Sequence, residues 1–489
     1  MKSINSSVDY NEKLNYTLFT KHLIMFTQLF GSFIMNIKSL KIIKTQLVYN
    51  YLTLGLMLFH SYITPRVFIS IIYKIDEFSR FSYKDTIYHA VLRVLFPIVV
   101  DITAMLSKIT VYRMKIYLNT LYNYLYLSDM YINFNKSLPN ADNGKPDGGA
   151  DVLGRKNGWW HSYEKFRKYN FNRRNKITPD DHSSTNSRTN QADDNVISLF
   201  RNHHSQISSY AIVALVCLIL PANVMRISEL IVNSEVSLSE ILYFCFMYWE
   251  NFFVASVELQ FFMVCYSIYL RFFEINIMLD NIYNDYHTPM FEHLAGGKIE
   301  FHITDDIVID NVDTTEYKII QNIPLENINF EYIRISHLFL CEAYVVLNII
   351  FKFQIVFSLG CCFATSLLDL YYEYFGSESQ NGTINIKLYC WIIQYFVRFA
   401  SIVIVAHKTT IESMRTKTLV TSLNNQNIKI EIQEELKLFL RQVESREMGF
   451  SAGGLFTLST PIITSAVAAG ITYLVVLIQF HNELVNHEK

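Results

Sequence analysis

Residues 454–480 form a run without a single charged side chain, long enough to cross a bilayer as one helix, since a spanning helix needs about 20 apolar residues. Within hydrocarbon only helices and closed barrels satisfy the backbone, so this run fixes the solvent in which much of the chain must fold. It is not uniformly apolar. Ser465, Ala468, Thr472 and Gln479 recur at helical spacing, Val475 continues the row, and Leu474, Leu477 and Ile478 fall mostly elsewhere. An unpartnered amide in lipid costs on the order of several kcal/mol, so the Gln479 side must meet other helices, a cavity or a pore. Small and hydroxyl residues also favour close helix packing; the stripe alone leaves packing and pore both open.

The 489-residue chain is 51% hydrophobic and 18% charged, with its apolar residues gathered into long runs. A soluble chain of that length would divide into several domains; an all-α, polytopic membrane protein explains the runs better. The net charge of -2 argues against the concentrated basic surface that a nucleic-acid partner requires. All seven cysteines fall inside apolar runs, where a thiol acts as a small hydrophobe. No Cys/His spacing suggests a metal, and no cofactor is expected. Phosphate loops and nucleophile elbows are absent. His60 and His89 sit in apolar runs without an acidic partner at catalytic spacing, so neither a membrane acyltransferase nor another enzyme is expected. Residues 1–21 are polar and lack a secretory signal pattern, which suggests an uncleaved, cytoplasmic start.

Seven transmembrane helices are predicted, at 47–72, 86–106, 207–231, 238–270, 338–371, 386–406 and 452–480. Ahead of them, 18–37 reads as an amphipathic helix at the inner interface, and Pro65 and Pro221 interrupt the first and third spans. The organisation that follows is a cytoplasmic N-terminus (1–46), paired spans at 47–107, 207–270 and 338–406, and cytoplasmic loops at 108–206 and 271–337. An anchor region (407–451), the last span and an extracellular tail (481–489) complete it. The middle of the first long loop, 139–194, has too few aliphatics to offset the cost of ordering and is expected to be disordered. Its flanks, 112–131 and 194–209, read as helices; 285–327 is a second polar insert, and 428–447 a charged amphipathic helix. Basic residues crowd the predicted inner loops (Arg155, Lys156, Arg167, Lys168, then Lys408, Arg415, Lys417), whereas the links 233–237 and 373–385 hold neither Lys nor Arg. That bias places the N-terminus inside and the C-terminus outside. A sequon at Asn381 falls on the outer side and is a candidate glycosylation site, although Asn5, Asn15 and Asn135 head sequons on the inner side.

Thr472-Tyr473, five apolar residues, then Gln479-Phe480 resembles the last-helix signature of insect gustatory receptors, and 448–458 resembles the segment before it. Arg271-Phe272 with Asn276 and Leu279 is similar to the inner end of that family's fourth helix. Residues 338–348 with Gln354 look like its fifth, and 434–442 like its cytoplasmic helix before the pore. The likeness runs from about 238 to 480; upstream it rests on span order, and the two polar inserts are longer than the family usually shows. It implies a homotetrameric, ligand-gated, non-selective channel for monovalent and divalent cations in the plasma membrane, without G-protein coupling. The last helix of each subunit would line a central pore above a cytoplasmic anchor. Ser465, Ala468, Thr472 and Val475 would face the path, with Gln479 and Phe480 at the outer gate. A ring of Phe can close a pore by dewetting, and amides can rehydrate it.

Asp101, Glu250, Glu258, Glu342 and Asp369 fall inside or beside predicted spans, where ionisable groups are costly and need a role. For Asp101, Glu258 and Glu342 the expectation is buried pairing with Arg93, Arg226 or Lys352. Nearer the outer half, Arg226, Tyr248, Trp249, Glu250, Asp369, Trp391, Gln394 and Tyr395 are candidates to line a tastant cavity, with packing as the competing role. Aromatic faces beside a few polar groups suit a sugar-like polyol or a bitter alkaloid. In the sugar-responsive branch an acidic residue is expected after the Thr-Tyr pair; here Leu474 follows Tyr473, which leans towards fructose-like or broadly tuned bitter receptors. The competing readings are an odorant-receptor-type channel subunit, a G-protein-coupled receptor and a secondary transporter. No Asp-Arg-Tyr-like triplet ends the third span and no Asn-Pro-x-x-Tyr closes the seventh. Repeated halves with broken helices, the mark of a transporter, are not evident.

Overall fold

A backbone that finds no water must bond to itself, and this chain does so with long continuous helices. The computed structural model describes residues 21–30, 32, 35–36, 41–42, 48, 51–59, 62–63, 83–136, 206–225, 227–228, 231, 238–295, 330–379, 386–426, 428, 430–446 and 448–487. Its helices are α1 (Lys21–Leu29), α2 (51–59), α3 (Tyr83–Lys136), α4 (Gln206–Met225), α5 (Leu238–Ala295), α6 (Phe330–Ser379), α7 (Ile386–Asn424), α8 (Ile430–Glu444) and α9 (Pro461–His487). Two short antiparallel hairpins join them: β1 (Met35–Asn36) with β2 (Lys41–Ile42), and β3 (Ser451–Ala452) with β4 (Phe456–Thr457).

Length separates two kinds of helix. At about 1.5 Å per residue, the 58 residues of α5 reach about 87 Å, nearly three times a hydrocarbon core of about 30 Å. The 27 residues of α9 extend only a little beyond one such core. The helices α3, α5, α6 and α7 therefore continue past the bilayer as a bundle, well beyond the sequence boundaries predicted for their spans. Among the described residues, five helices are long and apolar enough to cross a membrane: Gln206–Met225, Phe244–Tyr283, Phe330–Tyr371, Tyr389–Asn424 and Pro461–Phe480. The other two predicted spans fall on α2 and on the first part of α3.

At the centre is α5, packed against α1, α3, α6 and α7, while α3 runs along α6. In the extension the contacts become specific. Arg271 pairs with Asp129 of α3 at 2.6 Å, and the Ser128 and Ser336 hydroxyls share a hydrogen bond of 2.7 Å. The Asn276 amide donates to the Glu412 backbone and carboxylate at 2.7 and 2.8 Å and accepts from Thr416 at 2.7 Å. The residues that carried the likeness, Arg271, Phe272, Asn276 and Leu279, are all buried and all used in this bundle. From α8, Phe439 meets the His337 ring edge-on at 5.3 Å, with Phe272 on that ring at 5.4 Å. Gln442 donates to the Arg334 carbonyl at 3.0 Å.

The structure refines two local expectations. The amphipathic segment expected over 18–37 is a nine-residue helix at Lys21–Leu29. Its Leu23 and Ile24 are buried, and beyond it Phe30 stacks on Phe252 at 5.4 Å while Ser32 bonds Ser256 and Gln260. The last helix begins at Pro461 rather than near 452, because 451–457 folds as the second hairpin. Its turn needs left-handed backbone at Gly453 (φ 63°) and Gly454 (φ 81°), which glycine takes without a Cβ penalty. Several expectations lie outside the described residues: disorder in 139–194, most of the second insert, the links 233–237 and 380–385, the kink at Pro65, and Asn381 and the side chains of Arg93 and Arg226.

Candidate functional site

The last helix is placed by what precedes it. Phe450 is buried at the foot of the hairpin, edge-on to Phe261 of α5 at 4.9 Å and to Tyr344 of α6 at 5.8 Å. Pro461 then occupies the first helical position, where its missing N–H costs nothing. One face of α9 returns to its own chain: Ile463, Ala466, Gly470 and Leu474 look across to α6 and α7. Gly470 lies against the Phe363 ring, where an added Cβ would stand 3.4 Å away, in ordinary contact. Between these helices lies an almost wholly apolar cavity of about 190 Å³, also lined by Leu367, Tyr395 and Phe396.

The opposite face carries Ser465, Ala468, Thr472, Val475, Gln479 and Phe480, and every one of them is exposed. None of the apolar stretch of α9 is buried, against 78% of that in α5. Thr472 satisfies its hydroxyl on the Ala468 carbonyl at 3.0 Å and so makes no demand on a neighbour. Gln479 has no hydrogen-bond partner among the described residues and lies on the face turned away from its own chain.

The structure divides the eight residues expected to line a ligand cavity. Tyr248, Trp391 and Tyr395 come together, with ring centroids 5.7 Å apart for both Tyr248–Trp391 and Trp391–Tyr395. Gln394 is fully buried on the same stretch of α7, and Asp369 acts electrostatically on Tyr395. Both ends of the Gln394 amide and the Trp391 indole N–H have no protein partner among the described residues, a costly state unless water or a ligand supplies one. Trp249 faces away from this group, against Phe30 at 5.0 Å. Glu250 points to α3, where it interacts electrostatically with Asp101 and Lys108; Lys108 donates to Thr53 at 2.8 Å and lies 3.9 Å above the Phe253 ring.

Of the acidic residues expected to pair, Glu258 does so in a buried site and Glu342 in a half-buried one, both with other partners than expected. Glu258 takes two bonds from Arg398, at 2.7 and 2.8 Å, and one from Ser358, while Arg398 also reaches Asn251 at 2.6 Å. Glu342 pairs with Arg446 at 2.7 Å. Lys352 serves neither. Arg398 was legible from sequence as a cation within the sixth predicted span, and the rule that singles out Glu258 applies to it equally. Its link to Glu258 was not, because 140 residues separate them.

The profile of the 7tm chemosensory receptors matches residues 186–483, more than half of the chain. A Drosophila melanogaster protein that carries the name gustatory receptor 28b is 26% identical over 263 residues, 52% of this chain and 54% of that protein. The gustatory receptor for sugar taste 43a of the same organism is 29% identical over 147 residues, 30% of this chain and 34% of that protein. The chain thus spans about half the length of the first relative and about a third of the second. In fold it is similar to the insect olfactory receptor OR5 from Machilis hrabei, with a TM-score of 0.50 and 11% identity over 94% of this chain and 97% of that one. The same receptor solved in complex with eugenol gives 0.51 and 12% over 97% and 99%.

Proposed function

The chain belongs to the 7tm chemosensory receptor family and is a multi-pass membrane protein of the gustatory-receptor kind, and on that basis we propose that it is a tastant-gated, non-selective cation channel. Seven helices cross the membrane with the N-terminus inside, and four copies surround a pore lined by α9, above an anchor built from α8 and the inner ends of α5, α6 and α7. One observation carries this reading. The polar stripe of α9 is turned outward from its own chain, although Gln479 is costly against lipid. Copies of the same stripe around an axis give the amides one another and water. Gln479 and Phe480 then form the outer gate, with the Phe ring dewetting the closed path.

The ligand site proposed is the group of Tyr248, Trp391, Gln394 and Tyr395. It offers aromatic faces and unsatisfied hydrogen-bonding groups, a combination suited to a small polyol or alkaloid. Tyr395 touches Trp391 and also lines the cavity behind α9, which supplies a short mechanical route from ligand to pore helix. The protein expressed alone, in cells without G-protein coupling, is expected to give a cation current in response to sugars or bitter compounds. Gln479→Ala and Phe480→Ala should alter that current. Currents indifferent to both changes, or an imaged assembly with α9 on its lipid-facing periphery, would refute the proposal.

A further inference from the structure

Several cations of the bundle are matched to carboxylates, among them Arg271 with Asp129, Arg334 with Glu435, Arg398 with Glu258 and Arg446 with Glu342. Two on the α3–α6 seam are not. Arg113 donates to the Ile349 carbonyl at 3.3 Å, and its guanidinium lies 5.0 Å from the Phe353 ring centroid. Lys352 Nζ lies 4.9 Å from the same centroid. Neither has an acidic partner among the described residues. An anion close to both supplies the countercharge that no carboxylate among the described residues provides.

Their level in the fold identifies the anion. Gly470 lies beside Phe363 and Leu367, and the hairpin before α9 beside Val356, so Pro461 stands level with about residue 354 of α6. The charge-free run Pro461–Phe480 is one bilayer long. Arg113, Lys352 and Phe353 therefore sit at the edge of the hydrocarbon, on the side of α8. From that edge an apolar track of Ile109, Ile102 and Phe357 continues into the membrane, each side chain exposed.

We infer that this seam binds an anionic phospholipid, its phosphate held between Arg113 and Lys352 and its acyl chains along Ile102, Ile109 and Phe357. The exposed track is what selects a lipid over free phosphate. Assignment to the inner leaflet rests on the orientation proposed above; the binding does not.

The test uses the full-length protein in detergent, with melting followed as phosphatidylserine, phosphatidylcholine or inorganic phosphate is added. Phosphatidylserine alone should raise the melting temperature. Arg113→Gln with Lys352→Gln should weaken its apparent affinity by about tenfold or more, while Lys437→Gln with Arg441→Gln on α8 should not. If the double variant fails to fold, photoactivatable phosphatidylserine on the wild-type protein must label peptides holding Arg113 or Lys352. Three outcomes overturn the proposal: unchanged affinity in the double variant, an equal shift from inorganic phosphate, or label confined elsewhere. A disulfide between copies through Phe353→Cys that abolishes lipid binding would also do so, by showing the seam covered by a second subunit. No current is measured, so this inference and the channel reading fail separately.

Discussion

Two apolar helices of this protein, α5 and α9, have opposite relations to their own chain. In α5 the apolar stretch is mostly buried, and several of its polar residues find partners within the subunit: Asn251 and Glu258 on Arg398, Gln260 on Ser32, Asn276 on Glu412 and Thr416. In α9 no part of that stretch is buried, and the stripe ending at Gln479 faces outward. Apolar content is thus a poor guide to what a membrane helix does. Where its polar atoms are satisfied is a better one. A helix satisfied within the subunit holds the subunit together, and one left unsatisfied points to contacts beyond it.

Changes that separate the two helices by stability should sharpen this contrast. The largest loss is expected from Glu258→Ala, which strands Arg398, whose side chain is only 5% exposed. Removing one partner of a buried pair costs about 3–5 kcal/mol, seen as a lower melting temperature or loss of folded protein. Next comes Phe450→Ala, at about 3–5 kcal/mol for a buried ring, because it empties the socket formed by Phe261 and Tyr344. Melting of the purified variant checks it, and a value near wild type would mean that the hairpin is not what seats α9. Gln479→Ala should change the ligand-evoked current while altering subunit stability by no more than about 0.5 kcal/mol; a melting loss as large as that of Glu258→Ala would break the comparison. The smallest effect is expected for Thr472→Ala, within about 0.5 kcal/mol by melting, since that hydroxyl bonds its own helix.

The legible part of the fold was its periodicity and its charge. Long uncharged runs announce helices wherever they occur, and 428–447 showed its amphipathic character directly, appearing as α8 at Ile430–Glu444. The hairpin before α9 was written in Gly453-Gly454, a turn signal, but the apolar residues around it read as more helix. Helix ends were hidden for a similar reason: in α6 and α7 the sequence shows where hydropathy falls, not where backbone bonding stops. Of the residues the sequence offered as candidate ligand contacts, Tyr248 and Trp249 are adjacent and equally aromatic, and only their faces on α5 separate them. The first meets Trp391 and the second meets Phe30.

By itself the sequence determined that this chain lives in a membrane as long helices, that its last apolar run carries a polar side, and that its internal charges would need partners. Each of these follows from local composition and the cost of an unbonded polar group in hydrocarbon. Which partners those charges take, Arg398 for Glu258 and Arg446 for Glu342, was decided only by the tertiary structure. So was the outward turn of the α9 stripe. Pairing and facing depend on distances between segments far apart in the chain, and these are set when the helices pack.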